Sequence, residues 1–566
     1  MSLFGALNIG GSALSAQQAA LQVTGNNIAN SGNANYTREV ADLTPAPSQQ
    51  IQPGIFQGTG VTLVDIQRQV DESLNSRLRG SDSDSQAATT TQTWMSQVES
   101  SFNALGTNNI STQMSTFFSG WSSLANTPQD PGLRQVVLSD GSSVAESLTN
   151  EQTQLTNIQS SVQQQIGSDA QAADGYAQQI ADLNRQIVVS SNGTAGADNS
   201  LMDQRDTILT KLSGLMNIQT VQQNDGAVNV YVGSEPLVDN TVSNGVKVEQ
   251  QTVNGEPVST VVFKANGGPL PLSSGELGAL QTTQTQVSNV AGQVNALAHN
   301  LIAAVNQIHA SGQGTAGFTS VTGADAVKDP TAALNSTAAG LTFPPTNGSF
   351  VIHVTNTASG IGASTLVPVN LTGSPTDTTL NSLAASLNAI KGVTASVANG
   401  KLTVASSDPG STISFSQDSS GALAGLGINT FFTGSDASDI AVNQTVQNDP
   451  SLINAAQNGD AGDNQTATAI AALNTQSLAS LNGVSLQDSY QAVVDGVSGQ
   501  VATANTDAQA AQAVKDTLTT QQQSLSGVSI DEESVNMLVQ QRAYQGAAIF
   551  ITTVNNMMTS LLAMIP

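Results

Sequence analysis

No cysteine occurs in the 566 residues, and aromatics (4%) and charges (10%) are both sparse. Without cysteine there is no disulfide, no thiol nucleophile and no thiolate-bound zinc. Cations are the scarcest charges: 15 Lys and Arg stand against 41 Asp and Glu, a net charge of -26. That balance excludes nucleic acid as a partner, since phosphate recognition needs clustered Lys and Arg, and it repels anionic membrane surfaces. Only three histidines are present, His299, His309 and His353. The first two stand too far apart for a helical metal pair at i, i+4, and no glycine-rich loop carries a phosphate-binding lysine. Asp436, Asp439, Asp460 and Asp463 are loop carboxylates whose spacing does not match an EF-hand. We assign no catalytic, cofactor-binding or metal site, expect no cofactor, and expect no enzyme activity.

Long hydrophobic runs are also missing. Gln17, Gln18, Asn26 and Asn27 interrupt the opening stretch, which lacks the basic region and apolar core of a secretory signal. Near the other end Gln545, Thr552, Thr553, Asn555, Asn556, Thr559 and Ser560 leave no run of about 18 apolar residues. No membrane insertion is expected, and export would follow an uncleaved route.

What the chain does have is two charge-free ends. The first charge is Arg38, and residues 543–566 are again uncharged. Leu7, Leu14, Leu21 and Ile28 recur every seven residues, a narrow stripe of the kind one helix presents to another. Val535, Val539, Ala543, Ala547, Phe550, Val554, Met557, Leu561 and Ile565 step by three or four, one face of a long helix. Gly5, Gly10, Gly11 and Gly25 each cost the first helix about 1 kcal/mol relative to Ala, and an isolated helix of this length is marginal. A buried Leu contributes about 1.5–3 kcal/mol, but only when something covers it. The leading expectation is that another chain does, so that the ends order on assembly. The alternative is that the two ends pair inside one chain as an ordinary core.

Between the ends the pattern alternates. Residues 39–70 read as short strands and an extended crossing segment. Helices dominate from Val70, with one at 94–105, one at 114–125 and a long one at about 133–189. Ala173, Tyr176, Ile180, Leu183 and Ile187 give the long helix coiled-coil spacing. Strands are expected at 227–232 and 258–263, bounded by turns at Asp225 and Gly226 and at Asn254 and Gly255. A second coiled-coil helix follows at 275–310, with Val287, Val290, Val294, Leu297, Leu301, Val305 and Ile308 in its seam. Residues 350–354, 365–369, 393–397 and 401–404 read as strands around a helix at 380–390, and Pro368 marks an edge strand. A heptad helix runs through Tyr490, Val494, Val497, Val501, Ala504, Ala508, Ala511 and Leu518. Ser529 to Glu532 is a capping box opening the last helix, where Asp531, Glu532 and Glu533 favour the positive helix end.

The stretch from Ser15 to Asn30, SAQQAALQVTGNNIAN, resembles the N-terminal rod motif of the axial proteins of the bacterial flagellum. That motif usually continues Thr-Pro-Gly-Tyr. Tyr36 is kept here, while Asn35 stands where glycine is usual, and Asn tolerates the left-handed conformation at modest cost. Residues 117–128 (FFSGWSSLANTP), 201–206 (LMDQRD) and 430–440 (TFFTGSDASDI) resemble one branch of that family, the hook-associated protein 1 branch. The strand pattern within 313–427 is similar to a β-rich repeat inserted in hook and filament-capping proteins.

The resemblance implies a structural protein of the hook–filament junction, exported through the flagellar type III apparatus and located outside the cell. It implies self-assembly into a ring or tube, contacts with the hook protein and a second junction protein, and an export chaperone at the C-terminal helix. The expected fold is multidomain α+β: a discontinuous terminal-helix coiled coil, a mainly α-helical stalk and inserted β-rich outer domains. Residues 1–45 and 528–566 are the expected assembly domain. The stalk is 46–217, 273–312 and 428–527, with a small β domain at 218–272 and an outer β-rich domain at 313–427. The expected assembly interface is Leu7, Leu14, Leu21, Ile28, Asn30, Tyr36, Val539, Ala543, Ala547, Phe550, Val554, Met557, Leu561 and Ile565. Alternatives are a hook or filament protein of the same family, which would share the ends, and a surface adhesin working through 313–427.

Overall fold

The structure, a computed structural model, describes residues 3–564 apart from 103–105, 107–108, 192–197 and 254–255. Ile565, the expected turn at Asn254 and Gly255, and the expected helix end at Leu105 therefore lie outside the described residues. The chain divides into two compact units, one of Met1–Trp94, Ser161–Gln284 and Ala502–Pro566, the other of Met95–Ser160 and Thr285–Val501.

In chain order, α1 (Leu3–Ala29) leads into an antiparallel ribbon of β1 (Glu39–Pro45) and β4 (Val61–Arg68), tipped by β2 (Gln49–Gln52) and β3 (Ile55–Gln57). Four helices follow: α2 (Glu72–Ser101), α3 (Ile110–Asn126), α4 (Pro131–Ser191) and α5 (Asn199–Leu215). Strands β5 (Gln219–Gln222), β6 (Val228–Val232), β7 (Glu235–Asp239) and β8 (Val242–Ser243) form one sheet in that order. A ribbon of β9 (Val246–Val253) and β10 (Glu256–Phe263) precedes α6 (Gly275–Ala310).

The later part begins with β11 (Ser320–Thr322), β12 (Gly348–Asn356), β13 (Gly362–Val369), α7 (Leu380–Asn388), β14 (Val393–Ala398), β15 (Lys401–Ser406) and β16 (Ser411–Ser416). Their two sheets are ordered β13-β12-β16 and β11-β15-β14. Pro368 lies on β13, an edge strand, where a residue without an N–H is tolerated. Short elements α8 (Ala422–Gly425), β17 (Phe432–Thr433), β18 (Ala441–Val442), α9 (Gln444–Asn448) and α10 (Gln465–Ala472) lead to α11 (Leu486–Ser526) and α12 (Ile530–Ala563).

Heptad spacing accounts for the long helices. Within the second unit the buried row of α4 is Val137, Gly141, Val144, Leu148, Glu151, Leu155 and Ile158. Within the first unit it is Val162, Ile166, Ala170, Ala173, Ala177, Ile180, Asn184 and Ile187. The expected seam residues Tyr176 and Leu183 are only half-buried, each one position from the true seam. The displacement has a polar cause. Asn184 donates to the carbonyls of Val228 (2.8 Å) and Asn240 (2.6 Å) and accepts from the Val228 N–H (3.1 Å), fastening the small sheet to the helix.

The second unit is centred on aromatics. Phe117 and Trp121 of α3 meet Phe431 at ring-centroid distances of 5.6 and 5.5 Å, and Phe432 lies 5.6 Å from Phe117. The Asn306 side chain secures that strand, accepting from the N–H groups of Phe431 and Phe432 and donating to the Phe432 carbonyl. Two separate sequence blocks, 117–128 and 430–440, are thus one packing unit. His309 is buried beside it, accepting at Nε2 from the Asn454 N–H (3.0 Å) with Nδ1 2.8 Å from the Asn429 carbonyl. Burial pushes its pKa down to about 4, so it is a neutral core side chain. Among the described residues no three His, Cys, Asp or Glu side chains gather as a metal site. Asp439 and Asp463 instead accept backbone N–H groups in their own loops.

Candidate assembly site at the paired ends

Helices α1 and α12, both in the first unit, pack against each other. Gly10 faces Ile551 while Asn27 meets Glu533, so the two run antiparallel. The approach is close at Gly10, where a Cβ would stand 2.7 Å from Ile551 Cγ1 and 3.1 Å from Phe550 Cδ1. Only glycine fits there. The ends therefore pair within one chain, the arrangement ranked second from sequence.

That pairing uses one face of each helix. On α1 the buried residues are Ala6, Gly10, Ala16, Ala20, Val23, Thr24 and Asn27. Leu7, Leu14, Leu21 and Ile28 are half-buried beside them. On α12 the covered row is Glu533, Met537, Gln540, Tyr544, Ala547, Ile551, Val554 and Met558, in alternating steps of four and three. Of the expected α12 residues, Val554 is 1% exposed and Ala547 half-buried. The others look outward: Val539 is 58% exposed, Phe550 43%, Met557 50% and Leu561 53%, with Ala543 also exposed. Val535, Leu538 and Ile549 extend the same uncovered surface. By length and composition the helical stretch Leu486–Ala563, α11 and α12 together, is apolar enough to cross a membrane, and little of the qualifying window is covered.

A polar clasp closes the end of the pair. Asn27 Nδ2 donates to Glu533 Oε2 (3.0 Å) and to the Glu39 carbonyl (2.8 Å). Its Oδ1 accepts from the Tyr36 hydroxyl (2.8 Å) and the Glu39 N–H (3.0 Å). Arg38 completes the set, with Nε and Nη2 both 2.9 Å from Glu533 Oε1, and its N–H reaches the Ser526 carbonyl. Burial and the nearby Glu39, Asp203 and Glu533 carboxylates hold the Tyr36 phenol protonated, well above its ordinary pKa. Asn30, the other expected polar residue, donates to the Asn26 carbonyl (2.9 Å) and ends α1. Asn35 is not among the non-glycine residues with positive φ, so the backbone there asks for no glycine.

The loop after α1 is held from below by α5. Asp203 accepts from the Thr37 N–H (3.1 Å), and Asp203 and Asp206 grip Arg68 at 2.8 and 2.7 Å. Arg205, between them, turns inward to Asn184 Oδ1 and the Gly226 carbonyl. The 201–206 block thus anchors the loop and ribbon that position α1. Sequence reading passed over Asn27, Arg38 and Glu533 as site residues. At the helix end itself, Ser529 Oγ accepts from the Glu532 N–H.

Comparison with known proteins places this geometry. A family model of the helical domain of the flagellar hook-associated protein FlgK matches residues 95–325. A model of flagella basal body rod proteins matches 7–37, and one of the C-terminal part of the FlgEFG rod proteins matches 521–564, the two paired helices. Flagellar hook-associated protein 1 of Escherichia coli (strain K12) is 27% identical over 585 residues, spanning 97% of this chain and 98% of that one. Over nearly its whole length the chain is thus similar to flagellar hook-associated protein 1. The Salmonella typhimurium member is also 27% identical, over 97% of this chain and 98% of its own. The Bacillus subtilis member is 31% identical over 42% of this chain and 48% of its own. The solved flagellar hook junction protein FlgK from Burkholderia pseudomallei shares the fold, with a TM-score of 0.53 at 17% identity over 80% of this chain and all of that one.

The site's chemistry is adhesive. It offers a fixed antiparallel pair, locked at one end by buried hydrogen bonds, whose outward surface is apolar and uncovered. Flagellar axial proteins are structural, and self-assembly in the flagellar axis is the use such a surface serves.

Proposed function

We propose that this chain is a structural subunit joining hook to filament, exported through the flagellar type III apparatus and polymerising through α1 and α12 outside the cell. The observation that carries this is the uncovered apolar row of α12, from Val535 to Leu561, on a helix already seated against α1. Burying such a row gains about 25 cal/mol per Å² of apolar surface removed from water, and a contiguous exposed patch marks an interaction site. On this reading residues 1–45 and 528–566 form the assembly domain and 313–427 faces outward. The hook protein and a second junction protein are the axial neighbours, and an export chaperone covers the α12 row before assembly.

Removal of residues 550–566 is the direct test. The truncated protein should keep a folded second unit, measured by its near-ultraviolet circular dichroism, yet be absent from purified flagella. Its normal incorporation would sink the reading.

A further inference from the structure

The outward face of α12 is not wholly apolar. Residues 534–566 contain a single charge, Arg542, and it is exposed. It sits at the centre of the uncovered row, with Val535, Leu538 and Ile549 around it. Among the described residues it has no ion-pair partner. A guanidinium does not shed its proton, so covering it with apolar surface alone is strongly unfavourable. Whatever buries this face must bring an acceptor, best a carboxylate that matches the planar fork.

If the covering surface is the same face of a second copy, the choice is narrow. Helix α1 has no acid at all, and α12 has three, Asp531, Glu532 and Glu533. Glu533 is buried with Asn27 and Arg38, and Glu532 leans towards Arg38 at 3.7 Å. Asp531 is exposed and, among the described residues, has no ion-pair partner. It also lies on the Arg542 face, because eleven positions make about three helical turns, roughly 16 Å of rise. One stripe therefore carries an anion and a cation with apolar side chains between them.

We propose that Arg542 of one copy pairs with Asp531 of the adjacent copy when outward α12 faces meet, and that this ion pair sets the register of the contact. The inference rests on the assembly reading above. Two parallel copies in register would oppose arginine to arginine; sliding one along the helix by about 16 Å brings the opposite charges together. The apolar row supplies adhesion, and the charge pair rejects other registers.

The test replaces the parent gene with variants and measures the protein in sheared flagella against the protein secreted to the medium. Arg542→Asp and Asp531→Arg should each lower incorporation at least tenfold with secretion retained, and the double variant should return to within threefold of the parent. Normal incorporation of Arg542→Asp, or a double variant as poor as the singles, would overturn the proposal. Ile549→Asp separates the two readings. If it blocks incorporation while Arg542→Asp does not, only the register pair fails; if it too is incorporated, the apolar-face reading fails first. Thermal melting of the full-length variants, expected to match the parent within error at these exposed positions, shows that folding is not what changed.

Discussion

Asn27 and Glu533, 506 positions apart in the chain, share a hydrogen bond of 3.0 Å between side chains only 1% and 2% exposed. Glu533 also holds Arg38, so Glu533→Ala would strand two donors at once. Leaving a buried donor unpaired costs about 1–3 kcal/mol. We expect Glu533→Ala to lower the free energy for release of the α1 amides, read from its urea dependence, by an amount in that range, and Asn27→Ala to add little on top of it.

Gly10 makes a steric prediction. Gly10→Val puts branched carbon where Ile551 stands, and overpacking of this kind costs about 1–3 kcal/mol. Adding Ile551→Ala should recover part of the loss. Proteolytic cleavage within α12 reads both, rising in the single variant and falling back in the double.

The last helix should be the first to open. Only Glu533 and Val554 are buried in its 34 residues, and local stability follows buried contact. Hydrogen exchange on the unassembled protein should be much faster along α12 than in α3 or α6 of the aromatic unit. Equal protection would show that α1 alone is enough to hold it.

Glu151 ties the stability of the second unit to pH. Burial pushes its pKa up to about 7, against the Ser101 Oγ hydrogen bond at 2.7 Å that favours the charged form. A raised acid pKa means the folded state holds the proton longer than the unfolded one. Its contribution is therefore full below about pH 4.5 and is lost as pH rises to about 7. Glu151→Gln should leave stability unchanged near pH 4 and raise it at pH 8, by on the order of 3 kcal/mol at most. Denaturant midpoints at the two pH values check this.

Much of the fold was legible because long heptads and strand alternation are local signals. The helices at 131–191, 275–310 and 486–526 and the edge strand at Pro368 follow from spacing and from one missing N–H. What failed was rotation about a helix axis. A helix such as α12, with apolar residues on two adjoining faces, supports two valid stripes, and spacing cannot tell which one its own chain covers. Ala547 and Val554 belong to both, while Val539, Phe550, Met557 and Leu561 belong to the outer one. The small residues that seat α1 against α12, Ala6, Gly10 and Ala20, are weak hydrophobic signals beside Leu7, Leu14 and Leu21. The Asn27, Arg38 and Glu533 clasp has no local signature, because its parts come from opposite ends of the chain.

The seam between α1 and α12 carries no ionic contact along its length until the clasp at one end. Screening shortens the reach of exposed charges from about 30 Å at 0.01 M salt to about 3 Å at 1 M, yet it has almost nothing to act on here. Fresh water and brine should leave the pair equally seated, a useful indifference for a part that works outside the cell, where nothing regulates the salt.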